Sequence, residues 1–244
     1  MSLRNSFSLL SFISIVVFMT TQTIAQPDFL YHFCQDHIVG NNYSTKTYQA
    51  NLNHLLSTIP SSNSTNINHS GFYNSSYGQN SDQVRAIGLC RGDVKPEACR
   101  SCLNYSTNSI LKSCPNQKEA TGWYAKCMLR YSNRSIFGVL EADPTNWLWY
   151  ANYNVTSNVD AFNQMRMTLF RDLRNKAAAG GSLRKFATGN ETAPNAQTIY
   201  ALVQCTPDLS QTDCTSCLDI AMGLIPICCD GLQSAIVISP SCNC

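Results

Sequence analysis

Charge is scarce in this sequence. Asp, Glu, Lys and Arg make up 13% of its 244 residues, and the 17 basic and 15 acidic side chains never gather into a run of one sign. A nucleic-acid surface or a polybasic membrane patch needs clustered Lys and Arg to displace counterions, so neither is expected. Histidine is limited to His32, His37, His54 and His69, with none after residue 70. There is no Gly-rich phosphate loop, no G-x-S-x-G elbow and no paired-carboxylate signature. A Cys-His hydrolase would need a free thiol beside one of those histidines. No enzymatic site, cofactor or metal is therefore expected. After the first 25 residues, no apolar run is long enough to span a bilayer.

Cysteine is abundant, at thirteen residues. The series Cys90, Cys99, Cys102, Cys114 and Cys127 recurs as Cys205, Cys214, Cys217, Cys229 and Cys242, each pair 115 residues apart. Five coincident gaps mark a duplicated unit. Cys34 has no counterpart, because the same offset lands on Trp149, while the second copy adds Cys228 and Cys244.

The first 25 residues carry Arg4, an apolar run from Leu9 to Met19, and the small residues Thr23 and Ala25. That is the layout of a secretory signal peptide, with Gln26 as the expected mature start. A secreted chain meets oxidising conditions, so the cysteines are read as disulfides. Two sharper readings of the C-x2-C pairs are weaker. A redox pair would not have further cysteines at fixed distances to bind it, and a zinc cluster would have to join pairs more than 100 residues apart. Eight N-x-S/T sequons fit the same compartment: Asn42, Asn63, Asn68, Asn74, Asn104, Asn133, Asn154 and Asn190. Of these, Asn104 is expected to be crowded by the nearby Cys102.

Periodicity outlines each copy. Tyr48, Leu52, Leu55, Leu56 and Ile59 fall at helical spacing, with Ser44 or Thr45 as cap and Pro60 as stop. Asp93 is expected to cap a second helix that carries Pro96 in its first turn and turns Cys99, Cys102, Leu103, Ile110 and Leu111 to one side. From Trp123 to Tyr131 the period drops to two, predicting one strand with Trp123, Cys127, Leu129 and Tyr131 on a common face, followed by a partner strand at Ile136 to Leu140. The second copy predicts a helix capped by Ser157 or Asn158 and another that stops before Pro226. Expected bounds are signal peptide 1–25, first domain 26–140, linker 141–150 and second domain 151–244. Trp147, Trp149 and Tyr150 are expected between the domains, in the place of the missing bridge, or as ordinary core aromatics of the second copy. The second copy stops two residues after Cys242, so either an exposed sheet edge or a truncation is expected there.

Cys90-x8-Cys99-x2-Cys102 and its repeat, Cys127-Met128-Leu129-Arg130-Tyr131, Lys185-Phe186-Ala187-Thr188-Gly189 and the stretch Leu202 to Leu209 together resemble the plant cysteine-rich repeat secretory proteins. These carry two ginkbilobin-homologous, or stress-antifungal, domains, a tandem also found in the ectodomains of cysteine-rich receptor-like kinases. The resemblance implies an α+β fold of two tandem disulfide-rich domains, each with two helices packed on an antiparallel sheet. It implies the bridges Cys34–Cys114, Cys90–Cys99, Cys102–Cys127, Cys205–Cys214 and Cys217–Cys242. Cys229 then has two choices: a bond to adjacent Cys228, which would strain the peptide, or one to Cys244, which would leave Cys228 free. By count one thiol stays unpaired, which leaves a disulfide-linked dimer open.

Antifungal members of that family resemble mannose lectins. Their Asn, Arg and Glu site positions match Gln35, Thr121 and Ser132 here, and Tyr150 and Ile236 in the second copy, so mannose binding is not carried over. The resemblance implies a secreted, non-enzymatic binding or signalling module of the plant apoplast in stress or defence, with an extracellular protein or carbohydrate as partner. Alternatives are a directly antifungal carbohydrate-binding protein and a truncated receptor-kinase ectodomain.

Overall fold

The computed structural model describes residues 28–35, 45–60, 70–143, 153–193 and 197–244, together with the backbone of 146–149. Residues 1–25, His37, His69, and the sequons at Asn42, Asn63 and Asn68 lie outside the described residues.

Local signals start most of the elements. Thr45 caps helix α1 (Lys46–Thr58), its side chain accepting from the Tyr48 backbone N–H. Helix α2 (Pro96–Ser113) begins with Pro96 just inside a Lys95 cap that has no side-chain bond. Asp93 does not cap it, because Arg91 takes that carboxylate in an ion pair. The strands of the first half are β1 (Phe29–Cys34), β2 (Phe72–Tyr77), β3 (Val84–Cys90), β4 (Ala120–Tyr124) and β5 (Cys127–Ser132). The second half holds β6 (Asn146–Trp149), helix α3 (Val159–Ala178), β7 (Lys185–Thr192), β8 (Thr198–Cys205), helix α4 (Gln211–Cys228), β9 (Ala235–Ile238) and β10 (Cys242–Asn243).

These form two antiparallel sheets of like order, β1-β4-β5-β3-β2 and β6-β9-β10-β8-β7. The fold is α+β, written twice. Each sheet packs one face on its own two helices. Tyr48, Leu52, Leu56 and Leu103 meet Ala86, Leu129 and Tyr131 in the first half, and Leu169, Leu173 and Leu218 meet Ala187 and Val203 in the second. Bonded sulfurs sit in both cores as Cys34–Cys114, Cys90–Cys99, Cys102–Cys127, Cys205–Cys214 and Cys217–Cys242.

The other face of the first sheet is also apolar. Strand register places Phe72, Leu89, Met128, Trp123 and Tyr31 opposite one another in a single row across all five strands. That row joins Ile238 and Ile236 of the second half in a third cluster, which welds the two domains. Polar groups at the weld are satisfied across it. The Trp123 indole donates to the Ser239 carbonyl at 3.2 Å, and the Gln204 amide donates to the Cys90 carbonyl at 2.9 Å. Gly92 allows this approach, since a Cβ there would stand 2.4 Å from the Phe186 ring.

Several expectations need correction. The stretch 123–131 is two strands, because the chain turns at Ala125-Lys126. The turn resets the alternation, so Trp123 faces the weld with Met128 while Tyr124 faces the helices. Residues 136–140 form no strand, since β5 is already paired on both sides by β3 and β4. Instead Ile136 enters the weld, and Gly138, at φ +64°, gives its N–H to Asp208. Helix α4 runs past Pro226 to Cys228, because a proline in the last turn removes only one hydrogen bond. Leu111 is only partly buried on α2. The second sheet has no bare edge at its cysteine, because β10 lies inside it between β9 and β8. Residues 146–149 form its outer strand, and the ring positions of Trp147, Trp149 and Tyr150 lie outside the described residues.

Removing the 80-residue bridge with Cys34→Ala and Cys114→Ala is expected to cost about 4 kcal/mol in the chain-entropy account. Urea denaturation reads this directly, and a loss below about 1 kcal/mol would contradict it.

Candidate functional site

One register step along the same face of the first sheet, polar side chains enter among the apolar ones. The next row reads Asn74, Ile87, Arg130, Thr121 and Phe33. Arg130 is 2% exposed, and a guanidinium so buried needs acceptors at once. Its Nη2 donates to Glu119 at 2.8 Å and to Glu141. Arg134 clasps the same two carboxylates, its Nε and Nη2 donating to Glu119 at 2.7 and 2.6 Å and its Nη1 and Nη2 to Glu141. The Ser132 hydroxyl adds a bond to Glu119 at 2.9 Å. Two guanidiniums and two carboxylates thus form a closed, neutral network, with the Arg130 Nε left buried and unpartnered.

The network forms one wall of a 270 Å³ cleft completed by Phe33, Gln35, Thr121, Asp143 and, from the second domain, Pro240. The Glu141 backbone N–H donates to Ser241 of that domain at 2.9 Å, so the cleft spans the junction. Burial alone would push the Glu141 carboxyl up. Hydrogen bonds and charge from Arg134 and Arg130 outweigh it and hold the group below its ordinary value. A glycosidase pair needs one carboxyl raised enough to hold a proton near neutral pH, and Glu141 is moved the other way. Gln35, Thr121 and Asp143 are suited instead to hydrogen-bonding a polar ligand.

Of the positions singled out in sequence, Gln35 and Thr121 line this cleft and Ser132 stands behind it. Glu119, Arg130, Arg134 and Glu141 were not anticipated. The usable signal was Arg130, an arginine on the off-core side of a strand whose neighbours Leu129 and Tyr131 are core. In the second copy, Ile236 occupies the Thr121 position and packs into the weld, and Tyr150 lies outside the described residues.

The remaining groups are quieter. Cys228 and Cys229 bond to each other where the chain leaves α4, in place of a bond from Cys229 to Cys244. Cys244 keeps the one free thiol among the described residues, and burial pushes it up to about 12, so it carries little thiolate. His32 lies with Cys34 and Cys114, but those sulfurs are bonded to each other and cannot serve as metal ligands. Asn74, Asn104, Asn154 and Asn190 are exposed, Asn104 included despite its neighbour Cys102, and Asn133 is half-buried. No described helix is long and apolar enough to cross a membrane.

A duplicated, disulfide-stapled α+β unit with its two sheets welded together defines a class of tandem two-domain proteins. The solved tandem DUF26 ectodomain of the Arabidopsis thaliana cysteine-rich receptor-like protein PDLP8 shares this fold, with a TM-score of 0.73 at 22% identity over 88% of this chain and 96% of that one. The chain belongs to the salt stress response/antifungal family, whose model matches residues 33–134 and 150–244. It is 35% identical to cysteine-rich repeat secretory protein 38 of Arabidopsis thaliana over 88% of this chain and 82% of that protein. It is also 35% identical to an antimicrobial ginkbilobin-2-like protein of Castanea crenata, over 99% and 95%. Identity to cysteine-rich receptor-like protein kinase 26 of Arabidopsis thaliana is 40% over 89% of this chain, which spans about a third (32%) of that relative's length.

Two outcomes follow from the network. Glu119→Ala, which leaves Arg130 short of an acceptor, is expected to cost about 3–5 kcal/mol in urea denaturation. Because Glu141 sits below its ordinary 4.5 in the folded state, its contribution is complete above that pH and fades as pH falls below it. The stability gap between wild type and Glu141→Gln should therefore shrink in melts taken from pH 6 to pH 3, whereas a constant gap would contradict the assignment.

Proposed function

We propose that the chain is a secreted, non-enzymatic recognition module of the plant apoplast, acting in stress or defence by binding a neutral polar ligand at the junction cleft. The observation that carries this reading is the closed charge network of Glu119, Arg130, Arg134 and Glu141. It presents a rigid polar wall whose two carboxylates and two guanidiniums are paired with one another, beside the hydrogen-bonding groups of Gln35, Thr121 and Asp143. Such a surface suits a saccharide's hydroxyls better than a charged ligand. The family match and the secretory and ectodomain relatives support an extracellular setting.

A second reading, direct antifungal action, draws on the Castanea crenata relative, whose name describes it as antimicrobial. A glycan array and a fungal growth assay on the oxidised protein separate the two. Binding without growth inhibition supports recognition, and binding with inhibition supports defence by direct action. Gln35→Ala is expected to weaken saccharide binding about tenfold, the worth of one hydrogen bond. Silence in both assays would remove the saccharide and leave an extracellular protein as partner.

A further inference from the structure

Strand β7 is an outer edge of the second sheet and pairs only with β8, along its whole length. On it lies the sequon Asn190-Glu191-Thr192, with Asn190 and Thr192 both exposed. The residue directly across from Asn190 in the register is Tyr200. Tyr200 is 79% exposed, more than any other large apolar side chain among the described residues. Opposed residues of an antiparallel pair project from the same face with Cβ atoms about 4.5–5.5 Å apart. The ring and the amide are therefore neighbours on one surface, at the rim of the space between the sheets that Arg91 and Asp93 border from the first domain.

The open ring offers a flat apolar face directly beside the sequon amide. The four remaining described sequons lack the arrangement. Asn74 faces buried Ile87, Asn104 lies on a helix, Asn133 is half-buried in a turn, and Asn154 bridges to Leu232.

We propose that Asn190 carries an N-linked glycan whose first N-acetylglucosamine packs its apolar ring face on Tyr200. The transfer forms one bond, from the Asn190 Nδ2 to C1 of the sugar. It breaks the bond between C1 and the pyrophosphate of a lipid-linked oligosaccharide donor, and the amide proton leaves with the released lipid pyrophosphate. The edge position of β7 gives the modifying enzyme open access. Once attached, the sugar gains the C–H contact with the negative ring face that aromatic side chains offer their neighbours. It orders the β7–β8 pair at a place where β7 has no partner on its outer side. Tyr200 is thereby a landing site for the chain's own glycan.

The test uses the full chain secreted from a eukaryotic host that attaches high-mannose glycans, behind a heterologous leader so that the outcome does not depend on residues 1–25. Mass spectrometry of the glycopeptide is expected to find Asn190 occupied, and a bare Asn190 overturns the proposal. Thr192→Ala, which keeps the asparagine but abolishes the sequon, is expected to lower Tm by about 2–4 °C in the Tyr200 background. In the Tyr200→Ala background, the loss should fall below about 1 °C. Equal losses in both backgrounds would show that the sugar does not rest on Tyr200. Trimming with an endoglycosidase that leaves a single N-acetylglucosamine should preserve Tm, since the contact belongs to the first sugar. A trimmed protein as labile as the Thr192→Ala variant would also overturn the proposal.

Discussion

The first sheet is apolar on both faces, and this governs the rest of the molecule. One face is covered by α1 and α2, but the row Phe72, Leu89, Met128, Trp123 and Tyr31 would stand in water if the domain were alone. Burying a large side chain is worth about 1.5–3 kcal/mol, so a row of this kind is a strong demand for a second surface. Ile236 and Ile238 of the duplicated sheet help to meet it. The tandem is thus one two-sided core problem solved by duplication, and the linker only has to be long enough to let the sheets meet.

From that weld the position of the cleft follows. Side chains on a face recur every second residue, so the row next to the weld on the same face is the one holding Arg130 and Thr121. Lying at the margin of an apolar interface, Arg130 is stripped of water without being left in the middle of the core. Glu119 precedes β4 and Glu141 follows the chain's exit from β5, and together they bring the two carboxylates that the buried guanidinium requires. The same carboxylates hold Arg134, and the Glu141 backbone ties the network to Ser241 across the junction. A perturbation in the cleft is therefore also a perturbation of how the two domains meet.

Much of the fold was legible because its signals are periodic or duplicated. The helix faces at Tyr48, Leu52 and Leu56, the proline start at Pro96 and the repeat of five cysteines each point to one structure. The misreadings share a physical cause, which is that a turn changes the phase of a pattern without changing its composition. Ala125-Lys126 looks like two more alternating residues, yet it reverses the chain and sends Trp123 to the opposite face from Leu129. Residues 136–140 are apolar enough for a strand, but a strand also needs an unpaired neighbour, and pairing is not written in any local window. The charge network was illegible for a related reason. Glu119 and Glu141 each lie 11 residues from Arg130, beyond the three- and four-residue neighbours that a local pattern brings into contact.

The two copies differ most where a bridge has moved. In the first, Cys114 at the end of α2 reaches back 80 residues to Cys34 and fixes the outer region of the sheet to the helix. In the second, the equivalent Cys229 bonds to its own neighbour, closing a loop of no length and giving none of the restraint on the unfolded chain that a long bridge supplies. The strand at the β1 position, β6, is then held by its pairing with β9 and not by sulfur. Arg166 takes over part of the missing role. It reaches from α3 to the carbonyls of Cys229 and Leu232, joining the end of α4 to the first helix of its domain, at a burial that lowers the pKa of its guanidinium. Hydrogen bonds to two carbonyls can orient that corner but cannot restrict the unfolded ensemble. The second domain therefore keeps less covalent restraint on its unfolded chain than the first.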